Sequence, residues 1–160
     1  YLKEKYGRKL YKLSLNGGMT CPNRDGKVGY GGCIFCSEGG SGDFSEPVCE
    51  DVHTQIERAK MQVSDKYKGN SYIAYFQAYT NTYAPIEHLR KIFGDAISHP
   101  EVWILSIATR PDCIDEEIAK MLGELNKIKP VWVELGLQTS NEESAKYINR
   151  GYKNNVFEKV

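Results

Sequence analysis

The sequence predicts an α/β fold in which strand–helix units alternate around a parallel sheet. Two observations carry this. Three short segments are apolar almost throughout, as strands covered on both faces are, a fourth alternates apolar and polar residues, and the stretches between them repeat apolar residues at helical spacing. A third observation locates function: every segment of unusual composition directly follows a strand, and parallel α/β sheets bind ligands at the carboxyl ends of their strands.

The first strand is LYKLSL at 10–15, where apolar and polar residues alternate. A long loop follows, NGGMTCPNRDGKVGYGGCIFCSEGGSGDFSEP, rich in glycine yet carrying three cysteines with Tyr, Ile and Phe among them. Loops of this length in compact domains are functional or disordered, and that composition favours a ligand loop. From Glu50 the pattern turns helical, with Val52, Ile56, Ala59, Val63 and Tyr67 on one face and Lys68-Gly69-Asn70 as the stop. SYIAYFQAYT at 71–80 is β-branched and aromatic, the second strand. Pro85 then stands at the first position of a helix whose stripe is Ile86, Leu89, Phe93, Ala96 and Ile97, closed by His99-Pro100. VWILSIAT at 102–109 is the third strand. Asp115 caps a helix with Ile118, Met121, Leu122 and Leu125 inward, and VWVELGLQ at 131–138 is the fourth strand. Ser140 and Glu143 have capping-box spacing ahead of a last helix that runs to Asn149. Strict alternation of strands and helices argues a parallel sheet with right-handed crossovers, while periodicity leaves open whether it is doubly wound or part of a barrel.

The 160 residues fit one domain, and 41% hydrophobic with 26% charged residues is an ordinary globular composition. With 21 basic and 21 acidic side chains the chain is not a strongly cationic nucleic-acid binder. The basic cluster at residues 3–12 reads as a solvated N-terminal arm. No apolar run approaches the roughly 18 residues of a membrane helix, and the first residues hold no apolar signal core, so no membrane partner and a cytoplasmic location are expected. The chain starts at Tyr1 and ends in GYKNNVFEKV without a stop signal, so 1–160 is expected to be a fragment of a longer protein.

Five cysteines are an odd count, and Cys21, Cys33 and Cys36 crowd together while Cys49 and Cys113 stand apart as structural residues. Such a cluster argues for metal or redox chemistry over a disulfide framework. Cys21-x11-Cys33-x2-Cys36 offers three thiolates. A 4Fe-4S cluster held by three cysteines keeps one iron open to a substrate or cofactor. Structural zinc takes four protein ligands, which Cys49 or His53 would complete, and the chain would then be a non-enzymatic binding module stapled by its metal.

A cysteine triad in the loop after the first strand of a βα series, with the aromatic Phe35 before the last cysteine, resembles the radical S-adenosylmethionine (radical SAM) superfamily. The usual spacing there is three and two. Eleven and two resembles the variant of an uncharacterised bacterial branch related to the elongator catalytic subunit. The insert NRDGKVGYGG carries Asp25-Gly26 and Gly31-Gly32, which turn the chain out and back so that Cys21 rejoins Cys33 and Cys36. YFQAYTNTYAP at 75–85, SIATRPDC at 106–113, ELGLQTS at 134–140 and NRGY at 149–152 extend the resemblance over nearly the whole chain. It implies a core of six βα units in a partial TIM-like barrel, of which this chain supplies the N-terminal four and lacks the C-terminal units.

The resemblance also implies the cofactors: a 4Fe-4S cluster on Cys21, Cys33 and Cys36, and S-adenosylmethionine. The implied reaction is reductive cleavage of S-adenosylmethionine to a 5′-deoxyadenosyl radical that abstracts hydrogen from a substrate. RNA and a small molecule are equally admissible substrates, and an electron donor protein is the implied partner. Phe35 is expected near the adenine. Thr80, Asn81 and Thr82 stand where the family often has a Gly-Gly-Glu segment that holds the methionine amino group, and they offer carbonyl, hydroxyl and amide acceptors there. Arg110 is expected to meet the cofactor carboxylate with Asp112 positioning it, and Gln138 to lie near the ribose or methionine part. Glu134, inside the fourth strand, has two readings: it faces the interior, paired with Arg110 or contacting a substrate, or it lies outside, covered by a helix's polar edge.

Overall fold

A computed structural model describes residues 1–49 and 51–160, so the helix start expected at Glu50 lies outside the described residues. In chain order the elements are α1 (Leu2–Tyr6), β1 (Tyr11–Leu15), α2 (Val52–Val63), β2 (Tyr72–Phe76), α3 (Ile86–Ser98), β3 (Val102–Thr109), a 3-10 turn at Pro111–Cys113, α4 (Glu116–Asn126), β4 (Val131–Leu135), α5 (Glu142–Tyr147) and α6 (Asn154–Glu158). Among the described residues the strands form one sheet in the order β1-β2-β3-β4, parallel throughout. This is the α/β alternation read from the sequence, and an open parallel sheet of this order is consistent with part of a TIM-like barrel.

Strand alternation divides the sheet into two unlike faces. Leu13, Leu15, Ala74, Phe76, Leu105 and Ile107 face α2, α3 and α4 and close a core with Ile56, Leu89, Phe93 and Met121. The opposite face carries Lys12, Tyr75, Ser106 and Glu134, which form a polar network. Its lower end is plugged by Leu10, Ile73 and Ile104 with Leu2, Tyr6, Trp103 and Trp132. A register irregularity opposite Tyr72 and Ile73 makes room for Trp103, and the Arg8 guanidinium lies 4.4 Å from its ring centroid. The arm's basic residues Lys3, Lys5, Arg8 and Lys9 stay exposed, and Arg8 at the same time covers one face of the indole.

Local chemistry sets the helix starts. Asp51 accepts from the backbone N–H groups of His53 and Thr54 and so caps α2, and Asp115 accepts from Ile118 to cap α4. Several boundaries differ from the sequence reading, among them the ends of α2 at Val63 and α5 at Tyr147, each short of the expected stop. Pro85 is the cap of α3, one residue before its first turn. Asn141, not Ser140, caps α5, since its Oδ1 accepts the Ser144 N–H at 2.9 Å. β2 ends at Phe76 and β4 at Leu135, several residues early, because Tyr79 and Gln138 adopt left-handed backbone angles (φ 62° and 67°) that a strand excludes. Among the described residues no helix is long and apolar enough to cross a membrane.

Candidate metal and cofactor site

The cysteine loop folds as its glycines predict. Gly26, Gly31 and Gly32 take positive φ, and Asp25 and Tyr30 pair in a short antiparallel bridge, so the insert leaves and returns beside its starting point. Its far side is held by the segment after α5. Ile34 N–H donates to the Ile148 carbonyl, Asn149 Nδ2 donates to the Gly32 carbonyl at 2.8 Å, and Asn23 Nδ2 donates to the Asn149 carbonyl. Arg24 closes the turn beyond Cys36 by donating to the Ser37 and Glu38 carbonyls, and Tyr79 Oη also donates to Glu38.

Cys21, Cys33 and Cys36 all line one cavity of about 330 Å³, whose floor is Tyr75 and Glu134 and whose walls are the exits of β2, β3 and β4. This is the carboxyl end of the parallel sheet, where strand geometry leaves a crevice. Phe35, half-exposed, and Thr80, Arg110 and Gln138 border the same cavity. Cys49 and His53 do not. The Cys49 thiol donates to the Asp51 carbonyl, and His53 Nε2 is held by the Asp95 carbonyl and Ser98 Oγ.

Several side chains lie otherwise than the sequence suggests. Asn81 is fully buried and its amide donates to the Phe76 and Ala108 carbonyls, bolting the end of β2 to that of β3. Thr82 meets Thr109 Oγ1 and the Cys113 carbonyl and faces a second cavity, beside Cys113. These two side chains are engaged with the strand exits, whose backbone groups must be satisfied. Arg110 is committed in part: Nε and Nη2 fork onto Asp112 at 2.9 and 2.7 Å, and Nη1 donates to the Arg150 carbonyl. Of the two readings of Glu134, its place is on the face opposite the helices, and its partners are Lys12 and Ser106 rather than Arg110.

Two cavity residues carried no role in the sequence. Arg150 is 1% exposed and its guanidinium donates to the carbonyls of Leu137, Thr139 and Tyr152. Tyr152 offers its ring to both guanidinium groups, with Arg150 Cζ at 4.4 Å and Arg110 Cζ at 5.0 Å from the centroid. The Asn-Arg-Gly run after a helix was the available signal, since Asn149 and Gly151 both take positive φ.

The donor set fits an iron–sulfur cluster. All five cysteines are free thiols. The Cys36 thiol is lowered to about 6, chiefly because the Cys33 thiol hydrogen-bonds to it and then through Ser41 and Arg24, so it is a ready thiolate, whereas that same bond pushes Cys33 up. Bonds of about 2.3 Å draw the sulfurs of a single zinc to within roughly 4 Å of one another. Among the described residues the group whose ligand atoms all lie within 4.8 Å is instead Glu57, His99 and Glu101, already bridged by Lys60. The three thiols line one cavity without all being drawn that close together, an arrangement that suits a cluster better than one ion.

The comparison with known families decides the matter of descent. A sequence model described as the radical SAM superfamily matches residues 20–160. The chain belongs to the radical SAM superfamily. Relatives with high identity include the Uncharacterized protein YtqA of Bacillus subtilis (strain 168), 48% identical over 157 residues, or 98% of this chain and 49% of that protein. Protein YhcC of Escherichia coli (strain K12) is 39% identical over 94% of this chain and 48% of its own length. Uncharacterized protein MJ0486 of Methanocaldococcus jannaschii is 36% identical over 95% of this chain and 47% of its own. The chain thus spans about half the length of the curated relatives it matches. Superfamily membership makes radical SAM chemistry, an enzyme class, the framework in which the site is read.

Proposed function

We propose that this chain is the cluster- and cofactor-binding part of a radical SAM enzyme. The observation that supports it best is the convergence of Cys21, Cys33 and Cys36 with three strand exits on one cavity. When bound, the 4Fe-4S cluster and S-adenosylmethionine supply one-electron chemistry, the reductive cleavage of a sulfonium bond followed by hydrogen abstraction from a substrate. The chain's own residues hold and orient. Cys21, Cys33 and Cys36 are the proposed cluster ligands. Phe35 offers an apolar surface for the adenine, Thr80 a hydroxyl for the methionine amino group, Arg110 its unused N–H groups for the carboxylate, and Gln138 an amide for the ribose. Asn81 and Thr82 support these contacts from behind by fixing the strand exits.

The proposal includes an external electron donor protein, a cytoplasmic, reducing setting in which the cluster survives, and a substrate drawn from RNA or small molecules. The zinc-stapled module gains no support, because Cys49 and His53 are engaged away from the cavity. Anaerobic reconstitution with iron and sulfide tests the reading. About four irons per chain, the content of one 4Fe-4S cluster, with an EPR spectrum of the reduced protein that changes on adding S-adenosylmethionine, is the expected result. Cys36→Ser should abolish cofactor cleavage in the intact protein while far-UV circular dichroism stays unchanged, and Cys49→Ser should keep full iron content. One tight zinc and no iron uptake would reverse the conclusion.

A further inference from the structure

Asn23 lies within the insert that separates Cys21 from Cys33, and it is 1% exposed. Its two amide hydrogens have different acceptors. One points to the Asn149 carbonyl at 2.5 Å and the other to Cys33 Sγ at 3.6 Å. The orientation of the amide follows from these partners, since a carbonyl accepts only and must face Nδ2. Oδ1 is left buried without a hydrogen-bond partner, at the point where Gly29 and Gly151 approach it. A Cβ on Gly29 would stand 2.5 Å from that oxygen and one on Gly151 3.2 Å from it, so both glycines make the space in which the amide is held. An amide with one atom unsatisfied is costly to bury, and here the cost accompanies an N–H aimed at a sulfur.

Resting on the proposed function, we infer that Asn23 is a positioning residue that donates a hydrogen bond to the Cys33 ligand sulfur and thereby raises the reduction potential of the cluster. The physical reason is charge. Reduction adds one electron, part of which resides on the ligand sulfurs, and an N–H donor stabilises the more negative state more than the oxidised one. A donor fixed by a second bond to Asn149 needs no reorganisation when the electron arrives. The eleven-residue spacing thus brings more than a detour: it carries the donor to the sulfur.

The test compares the intact protein with Asn23→Ala and Asn149→Gly, each reconstituted anaerobically, by potentiometric EPR titration of the cluster. Asn149→Gly removes the bond to Gly32 and so loosens the same loop, but keeps the carbonyl that orients Asn23 and a backbone that accepts positive φ. The expected result is a midpoint potential shifted to more negative values in Asn23→Ala and unchanged in Asn149→Gly. Equal shifts in both, or none in a fully loaded Asn23→Ala, would overturn the inference alone. Failure of the parent protein to load iron would overturn the proposed function and the inference with it. If Asn23→Ala does not load, a double-mutant cycle with Cys33→Ala on metal-free protein reads the same contact: unfolding midpoints that are non-additive support it, and additive ones overturn it.

Discussion

Lys12 and Glu134 stand on the two edge strands of the sheet, yet Lys12 Nζ lies 2.7 Å from Glu134 Oε1. Four strands in a flat sheet would hold their edges about 14 Å apart. The pair therefore meets above β2 and β3 on a face that twists and curls inward, as in a partial barrel. Ser106 donates to the same carboxylate oxygen at 2.7 Å, and the Lys12 ammonium sits 4.0 Å from the centroid of the Tyr75 ring. Burial, then the Glu134 charge, pushes the Tyr75 phenol up to about 12.

The bridge is open to solvent, so its contribution is small. The side chains of Lys12 and Glu134 are 43% and 41% exposed. A double-mutant cycle of Lys12→Met and Glu134→Gln in urea should give a coupling no greater than about 1 kcal/mol, and less in high salt. A coupling well above that, or one indifferent to salt, would show that the face is drier than this.

Arg150 is the opposite case. Its guanidinium satisfies three carbonyls inside the fold, and its own carbonyl receives Arg110. Arg150→Met leaves those acceptors buried and unpaired, a loss on the order of 3 kcal/mol or more. Denaturant unfolding of the two proteins measures it, and a change below about 1 kcal/mol would contradict the burial argument.

Gly40 joins the cysteine loop to the exit of β2. Its φ is 60°, its carbonyl accepts the Tyr79 N–H at 2.9 Å, and a Cβ there would lie 2.3 Å from Tyr79 Cδ1. Gly40→Ala should cost about 2 kcal/mol from backbone strain and displacement of the ring. The same variant should load less iron than the parent under identical reconstitution, since Tyr79 borders the cavity.

Glu57 supplies a pH dependence away from the site. The Lys60 ammonium, then His99, holds its carboxyl below the usual carboxylate range. A depressed folded-state value contributes stability above the ordinary carboxylate value and loses it as pH falls through the folded one. Because the side chain is 56% exposed, the contribution is below about 1 kcal/mol after solvent screening. Unfolding free energies of the parent and Glu57→Gln should differ at neutral pH and converge in acid. Curves that stay parallel down to pH 2 would remove the carboxylate from the account.

The sequence by itself determined the succession of strands and helices along the chain, the helix faces and the cysteine triad, because each is written in neighbouring residues. Apolar runs such as VWILSIAT need only local periodicity to be read, and Asp115 caps α4 with an oxygen three residues from its partner. The resemblance of Cys21, Cys33, Phe35 and Cys36 to radical SAM enzymes was legible for the same reason, and the family match supports it. Which exit residues face the cavity was decided only by the tertiary structure. Tyr79 and Gln138 turn through left-handed angles that no periodicity announces, and so Thr80 lines the cavity while Asn81 and Thr82 brace the strands behind it. The remaining decisions join distant parts of the chain: Lys12 to Glu134, Asn23 to Asn149, Arg110 to Arg150. Such contacts exist only once the sheet has curled and the loop has closed, because a hydrogen bond is set by distance in space and carries no mark in the sequence between its partners.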